Sequence, residues 1–399
     1  MAENRSARFA SAGGILERVV YLDNAATTWP KPESVYRAVD RFAREVGGNP
    51  GRSGHRRSLD AGRELLRCRE ALARLLGVGD PSRIVFTRNA TEALNIALAG
   101  LITPGSHVLI SSLEHNSVWR PVHRLCRERG ASYDLIPCER DGRLDLVAAA
   151  DLIRPETRLL AVTHASNVLG ALLPIADLAA LAHRAGVLLL VDAAQTAGRY
   201  PLNPEADGFD LVAFSGHKEL FGPTGTGALY VREGLELPPL IVGGTGSDSL
   251  SPEQPGFLPD RLESGTSNVW GIAGLRAGVE FVLATGIPAI REHEEELYMK
   301  LIDGLRSLGC VELYGPERWE ERIGVISFNL EGFSSGDVAT YLDEVHGICV
   351  RAGLHCSPLA HRSAGTVESG TVRVGLSFFN SEEDIEVLLV ALRCLANKC

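Results

Sequence analysis

The chain has 399 residues, 45% of them hydrophobic and 23% charged, with a formal net charge of −10. That is enough chain for two or three structural units with ample cores. The acidic balance argues against nonspecific nucleic-acid binding and against docking on an anionic membrane, and no apolar run approaches the roughly 20 residues that span a bilayer.

Residues 1–18 are mixed polar, small and charged, with no apolar centre for a signal peptide. They read as a loose N-terminal extension on a cytoplasmic protein. From about Arg83 to Val231, short apolar runs alternate with amphipathic stretches. Runs 84–87, 107–111, 133–136, 159–162, 187–191, 211–214 and 228–231 read as strands; 91–99, 117–128, 144–153 and 174–185 read as helices between them. Continuous apolar strands separated by helices predict a parallel sheet covered on both faces. Ligands in such sheets bind at the carboxyl ends of the strands.

A connecting helix, 270–284, ends at Gly286 with Pro288 beyond it. After it come helix 290–308, strand 325–330, helix 336–345, strands 348–352 and 371–376, and helix 382–395. The expected organisation is a large domain over 19–285, its first residues available to pack with the small one, and a small α+β domain over 286–399. Stretches 243–259 and 358–370 are rich in Gly, Pro and Ser and read as mobile loops. The eight cysteines include no C-x-x-C pair, and no His/Cys group has zinc-finger spacing, so no metal is expected.

Only four of the 40 Lys and Arg residues are lysines: Lys31, Lys218, Lys300 and Lys398. Lys31 sits between two prolines, Lys300 in a charged helical run, and Lys398 beside the C-terminus. Lys218 alone stands in a compact setting, Ser215-Gly-His217-Lys218, ahead of the Gly-rich turn 222–227. Arginine supplies a permanent cation but cannot form a Schiff base; a lysine amine can. The bland alternative is a surface lysine at a strand end.

Other chemistry-bearing residues fall at predicted strand ends. Asp192 follows the most apolar strand, where it either pairs with a buried cation such as a protonated ring nitrogen or caps the next turn. Asn167 and Gln195 suit contact with a phenolic oxygen, and the alternative for Asn167 is a turn residue before Gly170. His115 either stacks on a flat heterocycle or is a satisfied histidine at a helix start. Ala90 and Thr91 open a helix whose N-terminal amides suit a phosphate, and Ser215 and His217, flanking the Lys218 amine, are candidates to reach the same phosphate. Gly222–Gly227 lacks a P-loop ending. Cys356, beside His355 and opening the second loop, is either a reactive thiolate or a small buried residue. Arg373, a charge inside an apolar strand, suits a carboxylate clamp or an internal ion pair.

In chain order, Asn24-Ala25-Ala-Thr-Thr28, Ala90-Thr-Glu-Ala93, Glu114-His115-Asn116, Ser166-Asn167-Val-Leu-Gly170, Asp192-Ala-Ala-Gln195, Ser215-Gly-His-Lys218 and Arg351-Ala-Gly-Leu-His-Cys356 resemble the class V, fold-type I enzymes that use pyridoxal 5'-phosphate. The nearest resemblance is to the cysteine desulfurase branch with a short R-x-G-x-H-C loop, from about residue 20 to the C-terminus. It implies an α/β fold, a large mostly parallel seven-stranded sheet plus the small α+β domain. It implies that Lys218 joins the cofactor covalently and shuttles protons. Asp192 pairs with the ring nitrogen, Asn167 and Gln195 contact the phenolic oxygen side, and His115 stacks on the ring. Ala90, Thr91, Ser215 and His217 hold the phosphate, and Thr266 reaches the phosphate of the other subunit of a homodimer. Arg373 holds the substrate carboxylate, with Asn24, Ala25, His55 and Arg351 around the substrate.

The implied reaction takes L-cysteine to L-alanine with a persulfide on Cys356, passed on to a protein or small-thiol acceptor; His355 and Arg351 are the local candidates for activating the thiol. No metal, membrane or direct nucleic-acid partner is implied. Three departures stand out: Leu354 where better-known members carry a second histidine, Asn89-Ala90-Thr91 in place of Gly-Thr-Thr, and a long polar 243–259 loop. Rival readings are a selenocysteine lyase, an aminotransferase or another carbon–sulfur lyase on the same scaffold, and a non-catalytic cofactor-binding scaffold.

Overall fold

The structure, a computed structural model, describes residues 9–11, 14–16, 19–51, 53–247 and 250–397. Most of the expected N-terminal extension, two residues of the 243–259 loop, Lys398 and Cys399 lie outside the described residues.

Seven strands form the large sheet, in the order Ile84–Thr87, Gly227–Val231, Leu211–Ser215, Leu188–Asp192, Thr157–Thr163, His107–Ser111, Ser132–Ile136. All run parallel except Gly227–Val231, which is antiparallel to both its neighbours. The apolar runs follow from burial on two sides. Leu160, Val162, Leu189 and Val191 enter one core, while Leu159, Ala161 and Leu190 enter another. Successive side chains point to opposite faces, so both sets must be apolar.

Helices Ala90–Leu101, Asn116–Arg129 and Ile175–Ala185 cover the sheet close to their expected bounds. Two helices precede the expected elements, Glu33–Arg41 and Arg56–Leu76. The second starts at His55, whose Nδ1 accepts from Ser58 N at 3.2 Å. It buries Ala61, Cys68, Leu72 and Leu76 along one stripe.

A second sheet has four antiparallel strands: Val311–Tyr314, Val325–Leu330, Thr371–Gly375 and Arg351–Gly353. Its core gathers Ile326, Phe328, Val372, Val374, Leu301 and Leu388. Val20–Tyr21 pairs in parallel with Ile348–Cys349, and Val20 and Leu22 join that same core. The expected strand 348–352 is therefore two short strands serving different sheets.

The second expected loop needs correction. Pro358–Ala364 is a helix, started by a proline at its first position and closed by Gly365 at φ 76°. A proline is tolerated there because that N–H has no helical partner to lose. Cys356 thus opens a short turn into a helix. The first expected loop, where described, carries no helix or strand.

Candidate active site

The carboxyl ends of the large sheet's strands carry Thr91, His115, Asn167, Asp192, Ser215 and Lys218, while Arg373 and Cys356 come from the second sheet and the turn after it. Lys218 lies just beyond Leu211–Ser215, half-buried. Burial pulls its amine down from 10.5 to about 8, opposed by the Asp192 carboxylate and helped by the cations of Arg373, Arg351 and Arg199. Asp192 ends its strand at 4% exposure, with Oδ1 accepting from Ala194 N at 2.9 Å. Burial raises its carboxyl, and Lys218 holds it down.

The backbone of the Lys218 turn is pinned from a distant part of the chain. The carbonyl of His217 accepts from Thr28 N at 3.2 Å, Thr27 Oγ1 at 3.0 Å and Lys31 Nζ at 2.7 Å. Glu219, on the other side of Lys218, accepts from Arg199 at 2.6 Å and from Ser377 Oγ at 3.1 Å. Arg199 also reaches Glu294 of helix Ile287–Arg306 at 3.0 Å. Arg199 and Glu294 are fully buried, and burial lifts the Glu294 carboxyl to about 8. Breaking such a buried group costs about 3–5 kcal/mol, because it strands a charge. Neither Lys31 nor this ionic group was among the expected site residues. The scarcity of lysine was the one signal that pointed to Lys31.

His115 caps helix Asn116–Arg129, its Nδ1 accepting from Ser117 N at 3.0 Å. Burial, then Lys218, lowers its pKa to about 4, so the ring is neutral at pH 7. With Nδ1 accepting, the proton sits on Nε2. Capping and a role at the cofactor face are compatible, since they use different parts of the ring.

At the anion end, Asn89 is the cap of helix Ala90–Leu101, accepting from Glu92 N at 2.9 Å. Thr91 is exposed in the first turn, with its hydroxyl not spent on capping. Ala90 N donates to the buried Ser215 Oγ at 3.1 Å. His217 Nδ1 is buried without a partner among the described residues. Gly227 passes so close to Asn89 that a Cβ there would sit 2.7 Å from Asn89 Cα, so glycine is required where strand and helix start meet.

Arg373 is 1% exposed and donates to Asp23 Oδ1 at 2.6 Å and to the carbonyl of Asn167 at 3.2 Å. Its Nε is buried with no partner among the described residues. Asp23 went unnoticed in sequence although it adjoins Asn24. Asn24 itself is spent inside the protein: its Nδ2 donates to Gly375 O at 2.9 Å and Asn380 Oδ1 at 3.0 Å, and its Oδ1 accepts from Trp29 N at 3.1 Å. Ala25 is buried, and its carbonyl accepts from Gln195 Nε2 at 3.0 Å. His55 is exposed at its helix cap.

Cys356 is exposed, with Arg351 Nη2 at 3.3 Å from its sulfur. Of the two expected activators of the thiol, Arg351 is the one that reaches it. The His355 ring is buried and bonds Thr371 O and Oγ1 at 3.1 and 3.0 Å. Burial, then Arg373, drives its pKa far down, so it is a neutral anchor rather than a base. Thr266 is exposed and lines a pocket of about 290 Å³ with Thr87, Arg88, Leu240 and Ile241.

These features fit pyridoxal 5'-phosphate. An imidazole nitrogen of His217, buried with no partner among the described residues, and a helix start suit an anion, a buried carboxylate suits a ring cation, and an amine of lowered pKa lies in the field of that carboxylate.

Residues 20–388 match the aminotransferase class-V family. A probable cysteine desulfurase of Methanothermobacter thermautotrophicus is 37% identical over 382 residues, covering 94% of each chain. A cysteine desulfurase of Escherichia coli is 36% identical, covering 94% of this chain and 93% of its own. Among solved structures, the apo cysteine desulfurase of Thermococcus onnurineus superposes with a TM-score of 0.91 at 34% identity, covering 96% of this chain and 95% of its own.

Proposed function

We propose, because this chain belongs to the aminotransferase class-V family and to the cysteine desulfurases within it, that it takes L-cysteine to L-alanine with Cys356 as the sulfur acceptor. The family implies pyridoxal 5'-phosphate. Lys218, Asp192, His115, Gln195, Ser215, His217 and Thr91 would hold it, and bound there it supplies an electron sink for charge developing at the substrate α-carbon.

This chain's own groups supply the rest. Arg373, with its free buried Nε, takes the substrate carboxylate. Lys218, its pKa lowered to about 8, has the amine basicity to take the α-proton near neutral pH and return it. Asp192 keeps the ring nitrogen protonated. Cys356 as thiolate, with Arg351 beside it, attacks the substrate sulfur. The new S–S bond forms as the Cβ–S bond breaks, leaving a persulfide on the enzyme, and reprotonation of the three-carbon fragment gives L-alanine. The acceptor is a protein or small thiol able to take sulfur from an exposed cysteine.

The observation that carries this reading is the 3.3 Å approach of a guanidinium to an exposed thiol, in a chain whose half-buried Lys218 has its amine lowered to about 8 in the field of Asp192, Arg373 and Arg351. We place two copies in the working unit, with Thr266 of each turned toward the other's phosphate. The test is alanine and sulfide release from L-cysteine with a reductant present. Cys356→Ala should bind the cofactor and stop releasing sulfide. Desulfuration by that variant at the original rate would remove Cys356 from the mechanism. Retained turnover of L-selenocysteine alone would favour the selenocysteine lyase reading.

A further inference from the structure

Cys356 stands in a backbone conformation that its own sequence does not favour. His355 and Cys356 have φ of 49° and 61°, two adjacent left-handed residues and neither a glycine. L side chains enter that region against crowding of Cβ by the next carbonyl. Such pairs persist where the surroundings over-determine them.

Here the surroundings can be named. Asn167 Nδ2 donates to the His355 carbonyl at 2.7 Å. Ser357 Oγ donates to Asn167 Oδ1 at 2.6 Å. Asn116 N donates to the Cys356 carbonyl at 2.8 Å, and Ser357 N closes the turn on Leu354 O at 2.9 Å. Asn167, Ser357 and His355 are 7%, 0% and 2% exposed, so water does not stand in for a lost bond. One amide group thus grips the residue before the cysteine and the residue after it.

We propose that Asn167 and Ser357 form a clamp that sets the position of the Cys356 thiol, with Ser357 a positioning residue acting through the turn. This rests on the reading of Cys356 as the sulfur acceptor. An amide nitrogen carries two hydrogens, and only one of those on Asn167 goes to His355. The other remains for the cofactor side, where the family resemblance puts this residue. The Asn167 carbonyl also receives Arg373 at 3.2 Å. Asn167 therefore ties the carboxylate-binding arginine and the thiol turn to one strand end.

The experiment uses the holoenzyme with Ser357→Ala. Loss of one buried hydrogen bond is expected to raise amide exchange across residues 354–357 about ten-fold and to lower kcat about ten-fold. KM for L-cysteine and the visible cofactor spectrum should stay at wild-type values, because neither Arg373 nor Lys218 is touched. Asn167→Asp, which keeps the acceptor for Ser357 and loses the donor to His355, should raise exchange in the same segment. Unchanged exchange and unchanged kcat in Ser357→Ala would overturn the clamp, as would KM and spectrum shifting as far as kcat. Exchange is read without substrate. If wild type failed to consume L-cysteine, the proposed activity would fall while the exchange result still judged the clamp.

Discussion

Lys31 Nζ lies 2.7 Å from the carbonyl oxygen of His217, the peptide unit that carries Lys218. Two of the three described lysines therefore meet at one turn. Burial lowers both to about 8. Lys300 is the opposite case: Glu382 and Glu386 raise it on the surface.

The difference predicts an inverted labelling order. At pH 8 an amine titrating near 8 is about half neutral, whereas one above 10.5 is less than about 1% neutral. Competitive acetylation of the cofactor-free protein should modify Lys218 about ten-fold faster than Lys300, after allowing for lower access and lower intrinsic nucleophilicity. Bound cofactor should abolish the Lys218 signal. Peptide mass spectrometry reads the ratio, and preferential labelling of exposed Lys300 would contradict the assigned basicity.

The same shift has a consequence for stability. A lysine whose folded pKa lies below its unfolded value binds its proton more weakly when folded. The unfolded chain then holds the extra proton between about 8 and 10.5, and stability rises with pH across that window. Lys218→Met removes this term. The cofactor-free variant should be more stable than wild type at pH 7, by about 2 kcal/mol after discounting partial exposure, and the gain should vanish by about pH 10.5. Urea titrations at both pH values measure it. A pH-independent difference would mean the buried charge is not its source.

The sheet was legible in sequence because a doubly covered parallel sheet writes itself as uninterrupted apolar runs, such as Leu188–Asp192. The chemistry was legible where a polar residue ends such a run, as at Asp192 and Lys218. Contacts between distant segments left less trace. Asp23 and Arg373 are 350 positions apart, and Ser357 and Asn167 are 190 apart. The helix Pro358–Ala364 was masked by its own composition, because proline at a helix start and glycine at its end look like loop punctuation.

Asp23 neutralises Arg373 at 2.6 Å in a site where the guanidinium is 1% exposed. Asp23→Asn should cost about 3 kcal/mol, because it leaves a buried cation without its counter-charge. A ligand carboxylate can restore that counter-charge. L-Alanine added to the holoprotein should raise the melting temperature of the variant more than that of wild type. Equal shifts would argue that the substrate carboxylate binds elsewhere.

Leu240, Ile241 and Val242 are 44%, 49% and 70% exposed in succession, the first two lining the pocket of Thr266, and Trp270 is 53% exposed nearby in sequence. An apolar strip of this kind calls for a covering surface. The proposed homodimer supplies one, so Ile241→Asp should shift the sedimenting species from a dimer toward a 42.9 kDa monomer. Cofactor affinity should fall with it if Thr266 serves the partner's phosphate. A wild type that sediments as a monomer with full cofactor affinity would refute the shared site.

Arg351 Nη2 approaches Cys356 Sγ at 3.3 Å, and it is the one described cation bonded to that sulfur. A guanidinium at that distance donates to the sulfur and fixes its direction. Its strand neighbour Arg373 is already engaged by Asp23, so Arg351 is the less committed charge of the pair. Arg351→Met keeps the length and apolar bulk of the side chain while removing the charge. Iodoacetamide should then alkylate Cys356 several-fold more slowly, because the sulfur has lost the donor that orients it. Sulfide release should fall in step with alkylation, because both use the same sulfur. If alkylation slowed while sulfide release held, the attacking sulfur would lie elsewhere. If neither changed, the guanidinium would be a neighbour of the thiol and nothing more.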